Sequence, residues 1–364
     1  MFVKALSLHS FRNYNDLVYT PDKGLNLICG DNAQGKTNLL EAVFLCAFGR
    51  SQRTVHDDEL IMQGAESANV KLKAQSEDGA EHLISITLAG GAKSISLDGE
   101  KIKKLGDLMG VLKAVMFSPE SLSLVKGAPA ERRRFLDMSI SQLSRSYFFK
   151  LQQYNTALKQ RNALLKSPDA LKCRDYIRMW DEQLAASGAY IMNARAHFID
   201  KIKPIVLRVH EKLSLRRDTF DIEFLPSVRS DGGEPLQEVI MQKLAASFDD
   251  DVRRGTTYLG AHKDDIAMRT NELDSRVYAS QGQQRTAALA LRLSEIELIH
   301  EVSGEYPVVL LDDVFSELDE SRCNALLECV SECQCIFTCA QDFIAESIET
   351  DITTVICKEG KLLA

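Results

Sequence analysis

Hydrophobic and polar positions along this chain change their period twice. Up to about residue 120 the apolar positions alternate or come in short runs. Residues 2–8, 70–74, 83–88 and 94–97 read as strands, and Asp98-Gly99 folds the last of them into a hairpin over 94–102. Leu25-Asn26-Leu27-Ile28-Cys29 is another strand, and the spacing predicts a helix directly behind it, over about 36–48. The most apolar part of that helix, 39–48, contains Glu41 and falls short of the ~20 apolar residues of a membrane span, so it reads as a buried core helix. A further strand at 111–117 is stopped by Ser118-Pro119.

After Gly127-Ala128-Pro129 the period becomes helical and stays so to about residue 213, with a break at Ser167-Pro168-Asp169. Residues 219–224 alternate as a strand, and 230–233 form a loop. A helix is predicted over about 235–254. From Thr256 the pattern is mixed again, with strands at 308–312, 335–339 and 353–357. These shifts predict an α/β domain in two parts, 1–127 and 256–364, interrupted by a mainly helical lobe at 128–255. The insert is too short for a long coiled-coil arm.

Composition changes this picture little. The chain has 364 residues, 45% hydrophobic and 26% charged, the balance of a soluble globular protein. The net charge of −8 weighs against a uniformly basic nucleic-acid binder, but local basic faces remain compatible with it. The start, Met1-Phe2-Val3-Lys4-Ala5, carries no signal-peptide pattern, so a cytoplasmic protein with no membrane partner is expected. Five of the nine cysteines crowd one stretch: Cys323, Cys329, Cys333, Cys335 and Cys339. None forms a C-x-x-C pair, and buried thiols are expected there.

The candidate chemistry begins at Gly30-Asp31-Asn32-Ala33-Gln34-Gly35-Lys36-Thr37, which matches G-x-x-x-x-G-K-T with a strand before it and a helix after it. Glycines let the loop fold into a nest of N–H groups facing phosphates, and the helix N-terminus adds positive potential. Lys36 supplies charge for the β- and γ-phosphates, and the Thr37 hydroxyl can hold Mg²⁺. Val308-Val309-Leu310-Leu311-Asp312-Asp313 is an apolar strand ending in two carboxylates. Asp312 is placed to bind Mg²⁺ and Asp313 to polarise an attacking water, with Glu120 as the next candidate base. Ser280-Gln281-Gly282-Gln283 opens a helix predicted over 286–300 and forms a second anion site far in sequence from the first. Ser316-Glu317-Leu318-Asp319 follows the acidic strand. Basic clusters include Arg132-Arg133-Arg134, tentative DNA contacts; all three cannot share one helix face, so an internal ion pair is expected for at least one.

In that order, these elements resemble those of SMC-like ABC ATPases. Leu6-Ser7-Leu8-His9-Ser10-Phe11-Arg12-Asn13-Tyr14, the run from Asn32 through Asn38 to Ala42, Phe117-Ser118-Pro119-Glu120, Arg132-Arg133-Arg134-Phe135-Leu136-Asp137, and the stretch from Leu311 to Asp319 are similar to the RecF family. The likeness covers essentially the whole chain. It departs at Gln52, where the family has His, and at Ala261 and Lys263, where the family has Pro and Arg. Transporter ATPases place a switch His where this chain has Ala340-Gln341. The resemblance implies an ABC-type P-loop ATPase head with an inserted helical lobe, and it adds Arg12, Asn13 and Asn38 to the nucleotide site. It also implies an ATP-dependent homodimer in which Ser280 to Gln283 act in trans. That dimer would bind gapped or single-strand/duplex junction DNA in recombinational repair, with RecO and RecR as partners in loading RecA. A transporter subunit, a ring-forming chromosome clamp and a P-loop kinase are the alternatives. His262 reads either as a contact near nucleotide or dimer seam, or as a locally bonded loop residue.

Overall fold

The computed structural model describes residues 1–339 and 352–363. It opens with β1 (Phe2–Phe11), β2 (Tyr14–Tyr19), β3 (Leu25–Cys29), α1 (Lys36–Phe48), β4 (Ser67–Gln75), β5 (Glu81–Ala89), β6 (Ala92–Leu97), β7 (Glu100–Lys101) and β8 (Ala114–Phe117). Then come α2 (Ser123–Lys126), α3 (Pro129–Leu143), α4 (Arg145–Leu165), α5 (Arg174–Leu213), β9 (Phe220–Leu225), α6 (Leu236–Ala246) and α7 (Phe248–Arg254). The chain continues through β10 (Asp265–Thr270), β11 (Leu273–Asp274), α8 (Ser275–Tyr278), α9 (Gln281–Ser303), β12 (Val308–Asp312), α10 (Glu320–Val330), β13 (Cys335–Cys339), β14 (Ile352–Lys358) and β15 (Lys361–Leu363).

These elements form two compact units. A head contains Met1–Leu122, Arg208–Arg217 and the chain from Arg285 onward; a lobe contains Ser123–Leu207 and Asp218–Gln284. The lobe therefore reaches to Gln284, beyond the expected end at 255. The cause is strand pairing: Asp265 to Thr270 lie antiparallel to Phe220 to Leu225, in a three-stranded sheet of order β11-β10-β9. The head's C-terminal part thus starts near 285 and not at 256.

Among the described residues the head holds two six-stranded sheets. One is antiparallel, of order β2-β1-β4-β5-β6-β7. Its strands alternate: Val70 and Leu72 are buried and Lys71 and Lys73 exposed, as expected for a sheet with one wet face. The other has the order β15-β14-β3-β13-β12-β8, parallel except for the edge strand β15. Its inner strand β12, between β13 and β8, is buried at every residue, which is why it reads as an uninterrupted apolar run. Helix α1 contacts both sheets and is apolar nearly all round. Its buried Leu39, Leu40 and Leu45 each contribute about 1.5–3 kcal/mol on transfer from water. Gly49 ends the helix with a left-handed φ of 65°, and its N–H returns to the Leu45 carbonyl.

In the lobe, the helix expected over 235–254 is split at Ser247 into α6 and α7. Two buried arginines tie the helices to the loops. Arg195, 2% exposed, pairs with Asp137 and Asp264, both at 2.8 Å, and donates to the Tyr147 hydroxyl at 3.1 Å. Arg161 joins Asp181, Asp251 (2.7 Å) and the Thr257 hydroxyl (2.8 Å).

Candidate nucleotide-binding site

The site grows from the end of β3. Gly30 and Gly35 have φ of 153° and 116°. A Cβ on Gly30 would stand 2.3 Å from the Cys357 carbonyl oxygen, and one on Gly35 would stand 2.4 Å from Asn13 Nδ2. Only glycine satisfies both the backbone and the space. Lys36, 9% exposed, donates its ammonium to the Gly30 and Asp31 carbonyls, so the loop is wrapped round its own cation.

The loop is braced from both ends of the chain. The Tyr14 hydroxyl donates to the Gly35 carbonyl at 2.9 Å. Asn13 Nδ2 donates to the Gln34 carbonyl at 2.8 Å, and Asn38 Nδ2 donates to Asn13 Oδ1 at 2.8 Å. From the β14–β15 turn, the Glu359 N–H donates to Gln34 Oε1 at 2.6 Å. Arg12 lies elsewhere. Its Nε and Nη2 grip the buried Glu41 carboxylate, each at 2.9 Å, and its Nη1 donates to the Glu59 carbonyl at 2.8 Å. Arg12 therefore anchors α1, and among the described residues its guanidinium bonds Glu41 and Glu59, not the phosphate loop. Glu41, the one charge in the apolar stretch 39–48 of α1, is explained by that pair.

The acidic strand meets the loop directly. Thr37 Oγ1 and Thr338 Oγ1 both donate to Asp312 Oδ1 at 2.8 Å. Burial, and secondarily the charge of Glu120, raise the Asp312 carboxyl above its usual range, while the two hydroxyls and Arg53 oppose the shift. Asp313 is exposed and left-handed, φ 52°, with its N–H on Thr338 Oγ1 at 3.0 Å. The Thr37 hydroxyl and Asp312 carboxylate form a hard oxygen set that fits Mg²⁺, and the glycine nest with Lys36 fits a triphosphate. Asp319 caps α10 through the Arg322 N–H at 2.9 Å. Gln52 donates to Ser118 Oγ at 2.9 Å. Ala340-Gln341 lies outside the described residues.

The second anion element belongs to the lobe. Helix α9 begins at Gln281, five residues earlier than predicted, so the element is the first turn of the helix itself. Gln283 N donates to Ser280 Oγ at 3.3 Å, and Ser280 N donates to Gln283 Oε1 at 2.9 Å, a reciprocal capping box. The serine oxygen accepts, leaving its hydrogen free to donate. A Cβ at Gly282 would meet nothing within 4 Å, so its own chain does not demand a glycine there. Leu273, Val277 and Tyr278 lie exposed just upstream in sequence, Tyr278 at 67%.

Other predicted residues have local roles. Arg132 is buried, bidentate to Asp265 at 2.6 and 3.0 Å, and Arg133 donates to the Asp264 carbonyl at 2.9 Å. Arg132 is thus an internal pair and not a free DNA contact. His262 accepts from or donates to the Tyr154 hydroxyl at 2.7 Å and meets the Thr257 carbonyl at 3.1 Å. Burial, then the charges of Lys263, Arg133 and Arg161, push its pKa down to about 4. Cys333, Cys335 and Cys339 are buried, and burial pushes the Cys339 thiol up to about 12. Sequence reasoning missed Thr338, Tyr14 and the Gln34 brace. Thr338 carried a signal, as the one hydroxyl in an otherwise apolar strand.

Known proteins share this chain's sequence pattern and fold. Residues 2–361 match the family model described as "RecF/RecN/SMC N terminal domain". A "DNA replication and repair protein RecF" of Lachnoclostridium phytofermentans is 41% identical over 355 residues, 96% of each chain. That of Clostridium acetobutylicum is 38% identical over 93% of each chain. A solved structure of "the recombination mediator protein RecF-ATP in RecFOR pathway" superposes with a TM-score of 0.92 at 36% identity, covering 100% of this chain and 98% of that one. An SMC head bound to the C-winged helix domain of ScpA gives 0.59 at 17% identity, a likeness of fold alone. Among the described residues no helix is long and apolar enough to cross a membrane.

Proposed function

Because the chain belongs to the RecF/RecN/SMC family, and within it to RecF, the DNA replication and repair ATPase, we propose that it is an ATP-driven DNA clamp of recombinational repair. The observation that carries this reading is the junction at Asp312, where the phosphate-loop Thr37 and the acidic strand share one carboxylate oxygen at 2.8 Å. Lys36 would leave its loop carbonyls for the β- and γ-phosphates. Thr37 and Asp312 would hold Mg²⁺, which offsets charge on the phosphates when bound. Asp313, exposed and among the described residues without the side-chain donors that Asp312 carries, would orient the attacking water; Glu120 is the alternative base.

Hydrolysis requires a second subunit in this reading. Ser280 to Gln283 present a capped helix N-terminus, a free hydroxyl hydrogen and an unobstructed glycine, the features of an element built to close on a neighbour's γ-phosphate. The exposed Leu273, Val277 and Tyr278 suit a dimer surface. The dimer would close on gapped or junction DNA in the cytoplasm and, with RecO and RecR, help load RecA; these partners come from the family. Arg132 and Arg133 do not support a DNA role for their cluster.

The test is Ser280→Arg, with sizing and phosphate release measured with and without ATP. Nucleotide affinity should hold while ATP-dependent dimerisation and turnover are lost. A variant that still dimerises and hydrolyses at the unmodified rate would refute the composite site.

A further inference from the structure

The capping box at Ser280 depends on which end of the Gln283 carboxamide faces it. A glutamine amide has a donor end and an acceptor end of nearly the same shape. Only the acceptor end satisfies the Ser280 N–H. The residue that sets this orientation is Asp218, on the turn between α5 and β9. Its Oδ1 accepts from Gln283 Nε2 at 2.8 Å and from Asn271 Nδ2 at 2.8 Å. A carboxylate accepts only, so it selects the NH₂ end of each amide and turns each carbonyl end away. For Gln283 that end reaches Ser280 N at 2.9 Å. For Asn271 it reaches Thr219 N at 2.9 Å, beside the return bond from Asn271 N to the Thr219 carbonyl at 3.0 Å. Asn271 is itself pinned in the β10–β11 turn with φ 50°.

The next residue is fixed from the other side. Gln284 is buried and donates to the Ser275 carbonyl at 3.1 Å. The first turn of α9 is thus held at two adjacent glutamines, one by backbone and one by Asp218. Ser280 itself is exposed, and besides its carbonyl, which accepts from the Gln284 N–H at 2.9 Å, this relay is what ties it to the first turn among the described residues.

We propose that Asp218 is a positioning residue for the in-trans anion site: by orienting Gln283 it holds the capping box closed and keeps the Ser280 hydroxyl hydrogen directed outward. This rests on the reading that Ser280 completes a partner's ATP site. It goes beyond that reading by assigning control of the site to a surface carboxylate outside the motif, at the exit of the lobe's longest helix.

The experiment compares Asp218→Ala, Asp218→Asn, Gln283→Glu and the double variant Asp218→Asn/Gln283→Glu by ATP-dependent dimerisation, monomer ATP affinity and Trp180-monitored unfolding. Losing the Asp218 hydrogen bonds should weaken ATP-dependent dimerisation roughly tenfold in Asp218→Ala. Monomer ATP affinity should stay unchanged, since the phosphate loop is intact, and the unfolding midpoint should fall by no more than the loss of these two hydrogen bonds accounts for. Asp218→Asn keeps an acceptor and should retain most dimerisation. Gln283→Glu sets two carboxylates face to face and should fail, and the double variant should recover because Asn now donates to Glu with the polarity reversed. Wild-type dimerisation by Asp218→Ala, while Ser280→Arg is blocked, would overturn the proposal and leave the composite site standing. If Ser280→Arg also dimerises normally, the composite site falls and this role falls with it. A larger fall in unfolding midpoint without recovery in the double variant would make Asp218 merely structural and also overturn it.

Discussion

Lowering the pH from 7 to 5 should weaken the lobe through His262, and the effect can be sized. The imidazole sits between the Tyr154 hydroxyl and the Thr257 carbonyl, with Lys263, Arg133 and Arg161 all disfavouring a further positive charge. Burial and these charges bring its pKa from 6.5 to about 4. In this window the unfolded chain takes up a proton that the folded lobe refuses. The stabilising contribution is therefore complete above pH 6.5 and is lost as the pH falls towards 4. At about 1.4 kcal/mol per unit the whole shift corresponds to about 3 kcal/mol, of which about 2 kcal/mol falls between pH 7 and 5. Partial solvent access reduces that to about 1 kcal/mol. The comparison variant is His262→Gln, which can accept from Tyr154 and donate to Thr257 but never titrates. Urea unfolding would be followed by the fluorescence of Trp180, the sole tryptophan, which lies in α5 of the lobe. Other groups titrate in both proteins and cancel in the difference. Equal pH dependence in wild type and His262→Gln would refute the assignment of His262 as a neutral, buried link.

Asp313→Asn should retain nucleotide binding and accumulate the ATP-bound dimer, read by sizing with ATP; normal phosphate release would move the base to Glu120. Arg132→Ala leaves Asp265 without its bidentate partner and should lower lobe stability by about 1–3 kcal/mol in urea titrations, while the slope of DNA affinity against salt stays unchanged. Arg195→Met strands the buried carboxylate of Asp264 and the half-buried one of Asp137 and should cost about 3–5 kcal/mol, seen as loss of the Trp180 transition at moderate urea with the head's ATP binding retained.

How much of this was open to sequence reading depends on the range of the interaction. The P-loop needs a strand, a glycine nest and a helix within a few residues, so 25–48 could be placed to the residue. The buried strands β12 and β13 announce themselves because both faces are covered. The lobe boundary could not be read, because β10 is recruited by β9, forty residues away across two helices, and nothing in its own alternation names that partner. An internal pair was expected within the Arg132 cluster, but neither its partner nor that of Arg12 could be named, for one shared reason. A basic residue in a cluster or motif looks the same whether its carboxylate is a neighbour in the fold or absent, and the partners, Asp265 and Glu41, lie 133 and 29 positions away. Asp218 escaped notice on the same ground.

The two adjacent aspartates show what the fold adds to a motif. On a regular strand Asp312 and Asp313 would point to opposite faces and differ only in exposure. Here Asp312 ends β12 inside a pair of hydroxyls, and the chain then turns left-handed at Asp313, a conformation that disfavours most side chains by roughly 1–2 kcal/mol but suits Asp and Asn. Thr338 enforces the turn, since the same hydroxyl that donates to Asp312 accepts the Asp313 N–H at 3.0 Å. One oxygen therefore settles both carboxylates, one held between two hydroxyls and the other released into solvent. The roles cannot be exchanged by moving charge alone: Asp312→Asn would keep a carbonyl for the hydroxyls yet lose the metal charge, whereas Asp313→Asn keeps the backbone turn and removes only the group that would face water. Thr338→Val should damage both functions together, because it removes the donor from Asp312 and the acceptor from the Asp313 N–H in a single isosteric step. If Thr338→Val hydrolyses ATP as wild type does, with unchanged dependence on Mg²⁺ concentration, then the carboxylates are positioned by something other than this hydroxyl.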